Sequence, residues 1–108
     1  MLEVRRYVTA LGKDVVGEWL SDLERTARAK ISTRIDRLSL GNFGDCKSLR
    51  AGVSELRIDW GPGYRLYYAM VGRTCVLLLC GGDKRKQSSD IDRAVEFLQD
   101  FKKREPKP

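Results

Sequence analysis

Residues 49–86, with the sequence LRAGVSELRIDWGPGYRLYYAMVGRTCVLLLCGGDKRK, decide the fold of this chain. Apolar and charged side chains alternate in residues 55–60, which is typical of a strand with one buried face. The Gly61-Pro62-Gly63 segment predicts a turn, because proline fixes φ and glycine tolerates positive φ. A second turn at residues 71–74 leads into the apolar run of residues 75–80. The stretch therefore predicts a three-stranded antiparallel meander.

The faces of the first two strands follow from folding the chain back about Pro62. This fold gives two apolar and two polar cross-strand pairs: Ile58 with Leu66 and Leu56 with Tyr68, then Arg57 with Tyr67 and Asp59 with Arg65. A slip of one residue would move every apolar side chain to the polar face, so the alternation constrains the register. The third strand is apolar on both sides, which predicts a central strand covered on both faces.

The third strand is expected to end at Cys80 and to continue into a flexible basic loop, residues 81–86. In the same register this loop emerges close to Arg65. The meander is therefore predicted to gather four functional candidates at one end of the sheet: Arg57, Arg65, Tyr67 and Lys84.

The composition indicates one domain with a preference for anionic partners. The 108 residues carry a formal net charge of +6, which favours nucleic acid, although a basic surface is more often simply solvated. Residues 1–105 are predicted to form the domain and residues 106–108 a short polar tail. The absence of histidine removes the commonest general base and transition-metal ligand. The three cysteines have no C-x-x-C spacing, so a zinc site is not expected.

The remaining segments complete an α+β order. A strand is predicted in residues 2–9, a helix in residues 13–25, and a second helix that Gly41 ends. Ser89 is predicted to cap the last helix, whose basic final turn complements the helix dipole. The order β-α-α-β-β-β-α predicts a small, mostly antiparallel sheet, packed with an N-terminal helical hairpin and a C-terminal helix. The charged outer face of the hairpin is interpreted as solvated, with contact to an RNA backbone as the alternative.

Nothing in the sequence suggests a membrane protein or a secreted one. The first residues are charged, and no apolar run approaches the length of a transmembrane helix. An odd number of cysteines in apolar surroundings is typical of a reducing compartment. The sequence therefore predicts a cytoplasmic protein.

Four short motifs resemble those of the RelE/ParE toxin superfamily. They are Lys47-Ser48-Leu49-Arg50, Glu55-Leu56-Arg57-Ile58, Gly63-Tyr64-Arg65-Leu66-Tyr67-Tyr68, and Gly81-Gly82-Asp83-Lys84 followed by Gln87. The chain is most similar to the branch of addiction-module killer or phage Gp49-like proteins, which is related to HigB. The resemblance implies a RelE-like fold and the toxin of a type II toxin–antitoxin module. It also implies a cognate antitoxin, commonly a helix-turn-helix protein.

The resemblance also assigns roles to particular residues. Arg65 matches the catalytic strand arginine of the family, Lys84 follows the last strand where a second functional cation stands, and Arg57 lies in the strand that carries functional lysines in RelE. Tyr67 completes the predicted catalytic set. The predicted RNA-binding residues are Lys47, Arg50, Arg85 and Lys86. The tyrosine that RelE carries near the start of its last helix has no counterpart here, where Asp90 and Ile91 stand.

The RelE and HigB branches cleave mRNA in the ribosomal A site, which implies a ribosome-dependent endoribonuclease. The RNA 2′-OH would attack the adjacent phosphorus, and Arg65 would stabilise the phosphorane with its planar fork. Nearby positive charge would favour neutral Lys84, which could then act as the base. Tyr67 would stack on a base or donate a proton. No metal or cofactor is required, and the ribosome would position the substrate.

Two other functions fit the same sequence. The ParE branch poisons DNA gyrase without enzymatic activity, and here the helical hairpin and the basic tail would form the contact. A plain RNA-binding module is the third interpretation. At residue level, Arg65 could simply pair with Asp59 across the strands, which would leave it a surface ion pair.

Overall fold

Eight regular elements form a five-stranded sheet with helices on both faces in the computed structural model. The model describes residues 1–104, so the predicted tail at residues 106–108 lies outside the described residues. The elements are β1 (Glu3–Arg6), α1 (Val15–Ser21), α2 (Arg25–Ser39), β2 (Cys46–Ser48), β3 (Val53–Ile58), β4 (Tyr64–Val71), β5 (Cys75–Asp83) and α3 (Gln87–Arg104), with a 3-10 turn at Lys84–Lys86 between the last two. The predicted α+β class is confirmed.

The strand order in the sheet is β1-β5-β4-β3-β2. β1 runs parallel to β5, and the other neighbours are antiparallel. β5 is buried along almost its whole length between β1 and β4, so the prediction of a central covered strand is confirmed. β2, an exposed edge strand of three residues, was not predicted, because so short a segment shows no alternation.

The prediction that the third strand ends at Cys80 is wrong. β5 continues to Asp83, and Gly81 and Gly82 pair with Leu66 and Arg65 of β4. The two glycines do not form a loop but allow side chains of the helices to pack closely against β5. A Cβ atom at Gly81 would overlap the Trp19 ring, and one at Gly82 would overlap the Asp90 carboxylate. The basic residues after β5 consequently start in an ordered 3-10 turn rather than in a flexible loop.

The predicted register of the meander is shifted by two residues. β3 and β4 pair Leu56 with Leu66 and Arg57 with Arg65, so the connection is centred on Gly61 and not on Pro62. Gly61 and Gly63 both adopt positive φ, at 58° and 82°, which a wider five-residue connection requires. Because the shift is even, every side chain keeps its predicted face.

The two faces of the sheet bury two clusters of apolar side chains. α1 and α2 cover one face through residues such as Leu20 and Ile31, which pack on Leu56 and Leu66. α3 covers the other face, where its apolar stripe packs on strand residues such as Ala69. No helix within residues 1–104 is both long and apolar enough to cross a bilayer.

The ends of the last two helices test two further predictions. Gly41 follows α2 with a φ of 80°, and its amide donates to the carbonyl of Leu38 at 2.9 Å, so the predicted end of this helix is confirmed. The prediction that Ser89 caps α3 is wrong. The preceding 3-10 turn is capped by Asp83, whose carboxylate accepts from the Arg85 amide at 2.9 Å, whereas the Ser89 hydroxyl donates to the carbonyl of Lys86.

Arg34 on α2 ties the helical hairpin to the end of the sheet. Its guanidinium donates to three carbonyl oxygens: that of Arg57 at 2.7 Å, that of Phe43 at 3.3 Å and that of Asp45 at 3.4 Å. Hydrogen bonds from a charged group are stronger than neutral ones. The Arg34 side chain thus fixes the segment before β2 and the end of β3 against α2.

We expect Arg34→Ala to lower the free energy of unfolding by about 2 kcal/mol, because three carbonyls lose a charged donor. Arg37→Ala is the matched control, since Arg37 lies exposed on the same helix and should change stability by less than about 0.5 kcal/mol. Urea denaturation of the three proteins measures both values. Equal losses for the two variants would contradict the role given to Arg34.

Candidate functional site

The candidate site lies where the α3-facing side of the sheet extends beyond the start of α3. The apolar part of this face is covered by α3, which begins only at Gln87. Further along β3 and β4 the same face carries Glu55, Arg57 and Arg65. The two arginines border a cleft of about 320 Å³, which we call the arginine cleft. It is lined by Asp45, Arg57, Asp59, Gly61, Pro62, Gly63, Arg65 and Lys84.

Arg57 and Arg65 stand directly opposite each other across β3 and β4. Two like charges in this position repel each other and are normally destabilising. Arg57 is held by Asp45, whose Oδ1 accepts from Nη2 at 2.8 Å and from Nε at 3.2 Å. Its side chain remains 37% exposed, so a ligand in the cleft can still reach it.

Arg65 is more deeply placed, with only 13% of its side chain exposed. Its Nη1 donates to the carbonyl of Tyr64 at 3.3 Å, and its Nε is buried without a hydrogen-bond partner within the described residues. The alternative pairing with Asp59 is wrong. The carboxylate beside the Arg65 Nε is that of Glu55, at 3.8 Å, because the register shift moves Asp59 past Arg65 into the connection.

Glu55 is the functional candidate that the sequence analysis missed. It is 2% exposed, one of two buried charged residues in the described chain. Gln87, the first residue of α3, donates to its Oε2 at 2.9 Å. The alternation in the sequence already places Glu55 on the same face as Arg57. Its burial follows only from the elements that cover this face in the structure, and the sequence pattern does not show them.

Lys84 joins the arginine cleft from the 3-10 turn. Its amide donates to the carbonyl of Gly63 at 2.8 Å, and this bond joins the 3-10 turn to the β3–β4 connection. The Lys84 side chain is exposed. The predicted proximity of Arg57, Arg65 and Lys84 is therefore confirmed.

Tyr67 lies beneath the cleft and not in it. It has no exposed surface and belongs to the apolar cluster under α3. Burial, with the nearby Glu55 charge as the next cause, raises the pKa of its hydroxyl far above the usual value. Stacking on an RNA base is incompatible with this position. The expectation that Tyr67 faces the substrate is corrected because α3 covers this part of the sheet.

The four predicted RNA-binding residues are spread over the surface. Lys47 is exposed on β2 directly opposite Glu55, beside the arginine cleft. Arg50 lies at the opposite end of β3 and forms an ion pair with Asp92 of α3. Arg85 pairs with Asp83 at 2.9 Å and Lys86 lines a second cleft. The structure thus brings Lys47 towards the arginine cleft and leaves Arg50 apart, and RNA binding by all four stays a prediction.

The second cleft lies between α1 and the start of α3, and Asp90 forms part of its wall. Asp90 is 3% exposed, and its Oδ2 has no hydrogen-bond partner within residues 1–104. Burial raises the pKa of its carboxyl, while Arg93, which donates to Oδ1 at 3.3 Å, opposes this effect. Ionisation of the Asp90 carboxyl therefore opposes folding.

The arginine cleft is suited to holding a phosphate group. Two guanidinium groups and one ammonium group line it, and guanidinium groups bind phosphate oxygens with paired donors. The carboxylates of Asp45 and Glu55 lie against the arginines, and Asp59 also lines the cleft, so three acidic side chains offset the formal charge of the three cations. Within the described residues, no three His, Cys, Asp or Glu side chains lie close enough together to hold a metal ion.

Comparison with known proteins gives a family model that spans the site and a similar protein. The family model described as "Phage derived protein Gp49-like (DUF891)" matches residues 18–99, which include both arginines, Glu55 and Lys84. An uncharacterized protein of Haemophilus influenzae is 52% identical over 84 residues, which are 77% of this chain and 85% of that protein.

We expect Asp90→Asn to stabilise the fold near neutral pH. A carboxyl whose pKa is raised by folding favours the folded state while it is protonated, and this advantage is lost as the pH rises through the raised pKa. A neutral amide at this position does not lose stability as the pH rises. The gain in the free energy of unfolding over the wild type should therefore shrink as the pH falls from about 7 to about 3. Urea denaturation across this range, with the exposed Glu96→Gln as control, measures it. A gain independent of pH would contradict the assignment.

Proposed function

Since the chain belongs to the family of phage-derived Gp49-like proteins, a RelE-like toxin family, we propose that it is the toxin of a type II toxin–antitoxin module that cleaves mRNA on the ribosome. The proposal places it near the HigB-related branch. Inhibition of translation in the cytoplasm would follow from the cleavage.

One observation carries the choice of a nuclease: the opposed pair Arg57 and Arg65 with Lys84 beside them. Cations concentrated in one concave site, instead of dispersed over a surface, suit the stabilisation of a pentacoordinate phosphorus with extra negative charge. A protein that only binds another protein needs no such concentration. The exposed Lys47 on the adjacent edge strand adds a further cation beside these three, on the proposed path of a bound RNA strand.

The proposed reaction uses the 2′-OH of the RNA as the nucleophile. The O2′–P bond forms and the P–O5′ bond breaks, which leaves a 2′,3′-cyclic phosphate and a 5′-hydroxyl. Arg65, the less exposed of the two arginines, stabilises the phosphorane, and Arg57 binds a non-bridging oxygen from the opposite strand. Lys84 takes the proton of the 2′-OH, and a water molecule protonates the departing O5′ to give the 5′-hydroxyl. The ribosome holds the nucleotide in line for attack, which offsets the small number of acid–base groups.

The cognate antitoxin is proposed to act on the same positive surface. A helix-turn-helix partner with an acidic segment would be attracted to the cations of the arginine cleft and would exclude RNA from it. Such an attraction would weaken with salt, because the exposed side chains of Lys84 and Lys47 are screened by ions.

Induced expression without an antitoxin should arrest bacterial growth and produce new mRNA ends within translated codons. The reason is that cleavage depends on a ribosome to position the substrate. Sequencing of transcript 5′ ends before and after induction measures this outcome. DNA breaks that depend on gyrase, with intact transcripts, would instead support inhibition of gyrase, and unaffected growth with soluble protein would overturn both.

Arg65→Lys should prevent growth arrest and slow mRNA cleavage by a factor of about 10² to 10³, while the protein stays folded. Lysine keeps a positive charge beside buried Glu55 but lacks the planar fork that binds two phosphate oxygens. Arg73→Ala is the control, because Arg73 is exposed in the turn at the other end of β4. Growth after induction, with circular dichroism to verify the fold, provides the measurement. Full toxicity of Arg65→Lys would remove Arg65 from the site.

A further inference from the structure

We propose that Glu55 is the positioning residue of the arginine cleft: its buried carboxylate holds Arg57, Arg65 and the turn that carries Lys84 in one arrangement. This inference rests on the proposed nuclease function. Glu55 is 2% exposed, so it lies too deep to contact RNA itself. Its effect on cleavage must therefore pass through the side chains around it.

A buried carboxylate in a sheet is costly unless its surroundings compensate the charge. Glu55 has such compensation on two sides. Its Oε1 lies 3.8 Å from the Nε of Arg65 and 4.0 Å from the Nε of Arg57, and its Oε2 accepts a hydrogen bond from Gln87 at 2.9 Å. One oxygen therefore faces both cations and the other faces α3.

The position of Glu55 resolves the repulsion between the two arginines. Arg57 and Arg65 are direct cross-strand partners, and like charges so placed tend to turn away from each other. A shared negative charge beside both Nε atoms favours a conformation in which the two guanidinium groups stay together. At 3.8 and 4.0 Å these contacts exceed hydrogen-bond length, so Glu55 attracts the arginines without occupying their donors.

Glu55 also fixes the third cation through the chain. Gln87 directly follows the 3-10 turn Lys84–Lys86 and begins α3. The bond from Gln87 to Glu55 thus joins the start of α3 to β3, while the amide of Lys84 is bound to the carbonyl of Gly63. The 3-10 turn is held at both ends, one end by the β3–β4 connection and the other by Glu55.

The test is Glu55→Gln, which keeps the shape of the side chain and removes its charge. We expect the single-turnover cleavage rate of ribosome-bound mRNA at saturating toxin to fall about a hundredfold, because small misplacements of catalytic groups have effects of this size. The concentration of toxin that gives half the maximal rate should change less than the rate itself. Glu96→Gln, the same change at an exposed site on α3, should leave both unchanged.

A double variant separates positioning from general destabilisation. If Glu55 acts through Arg65, Glu55→Gln should lower the residual rate of Arg65→Lys by far less than a hundredfold, because the two changes remove one shared effect. Equal losses in both backgrounds, with both proteins folded, would overturn the proposal. If Glu55→Gln does not fold, Gln87→Ala replaces it: this variant leaves every charge in place and should still reduce the rate.

A second measurement does not depend on nuclease activity. The Nε–H of Arg65 is buried without a hydrogen-bond partner in the described chain, so its NMR signal should be resolved and slow to exchange with water. Glu55→Gln should shift this signal and speed its exchange, whereas Glu96→Gln should not. An unchanged signal would overturn the positioning role. If the wild-type protein cleaves no mRNA, the nuclease proposal fails, and this measurement alone still decides whether Glu55 orients Arg65.

Discussion

The antiparallel pairing of β3 with β4 in a register centred on Gly61 is the constraint on which the candidate site depends. It places Arg57 opposite Arg65 and Glu55 opposite Tyr67. A register centred on Pro62 would keep the same faces but would set Arg65 opposite Asp59, and the site would then be a neutral surface pair. The two glycines with positive φ, Gly61 and Gly63, make the observed connection possible.

The point at which α3 begins decides which part of one sheet face is core and which part forms the candidate site. Where the helix covers the sheet, Tyr67 is buried among apolar side chains. Where the helix has not yet begun, the same face holds the arginines and opens into a cleft. Glu55 lies at the boundary, bound to the first residue of the helix. The same sheet face thus changes from buried core to open cleft within one or two residues along each strand.

The interactions around the cleft combine rigid support with exposed charge. Arg34 binds the carbonyl of Arg57 from α2, and Asp45 binds the Arg57 guanidinium from the segment before β2. The cation is therefore positioned through its backbone and through its side chain. In the proposed reaction such support matters, because a cation that is already oriented needs no reorganisation when negative charge develops in the transition state. The side chain of Lys84, in contrast, is exposed.

The sequence by itself determined the α+β class, the central position of β5, the faces of β3 and β4, and the proximity of Arg57, Arg65 and Lys84. These follow from alternation and from the order of the elements, which are local properties of the chain. Only the tertiary structure decided the register, the edge strand β2 and the burial of Tyr67 and Glu55. These depend on how wide a glycine-rich connection becomes and on where α3 starts to cover the sheet. Because side chains alternate along a strand with a period of two residues, the sequence fixes the face on which each side chain lies. The same alternation fits two registers that differ by two residues, and it does not show which element covers the face.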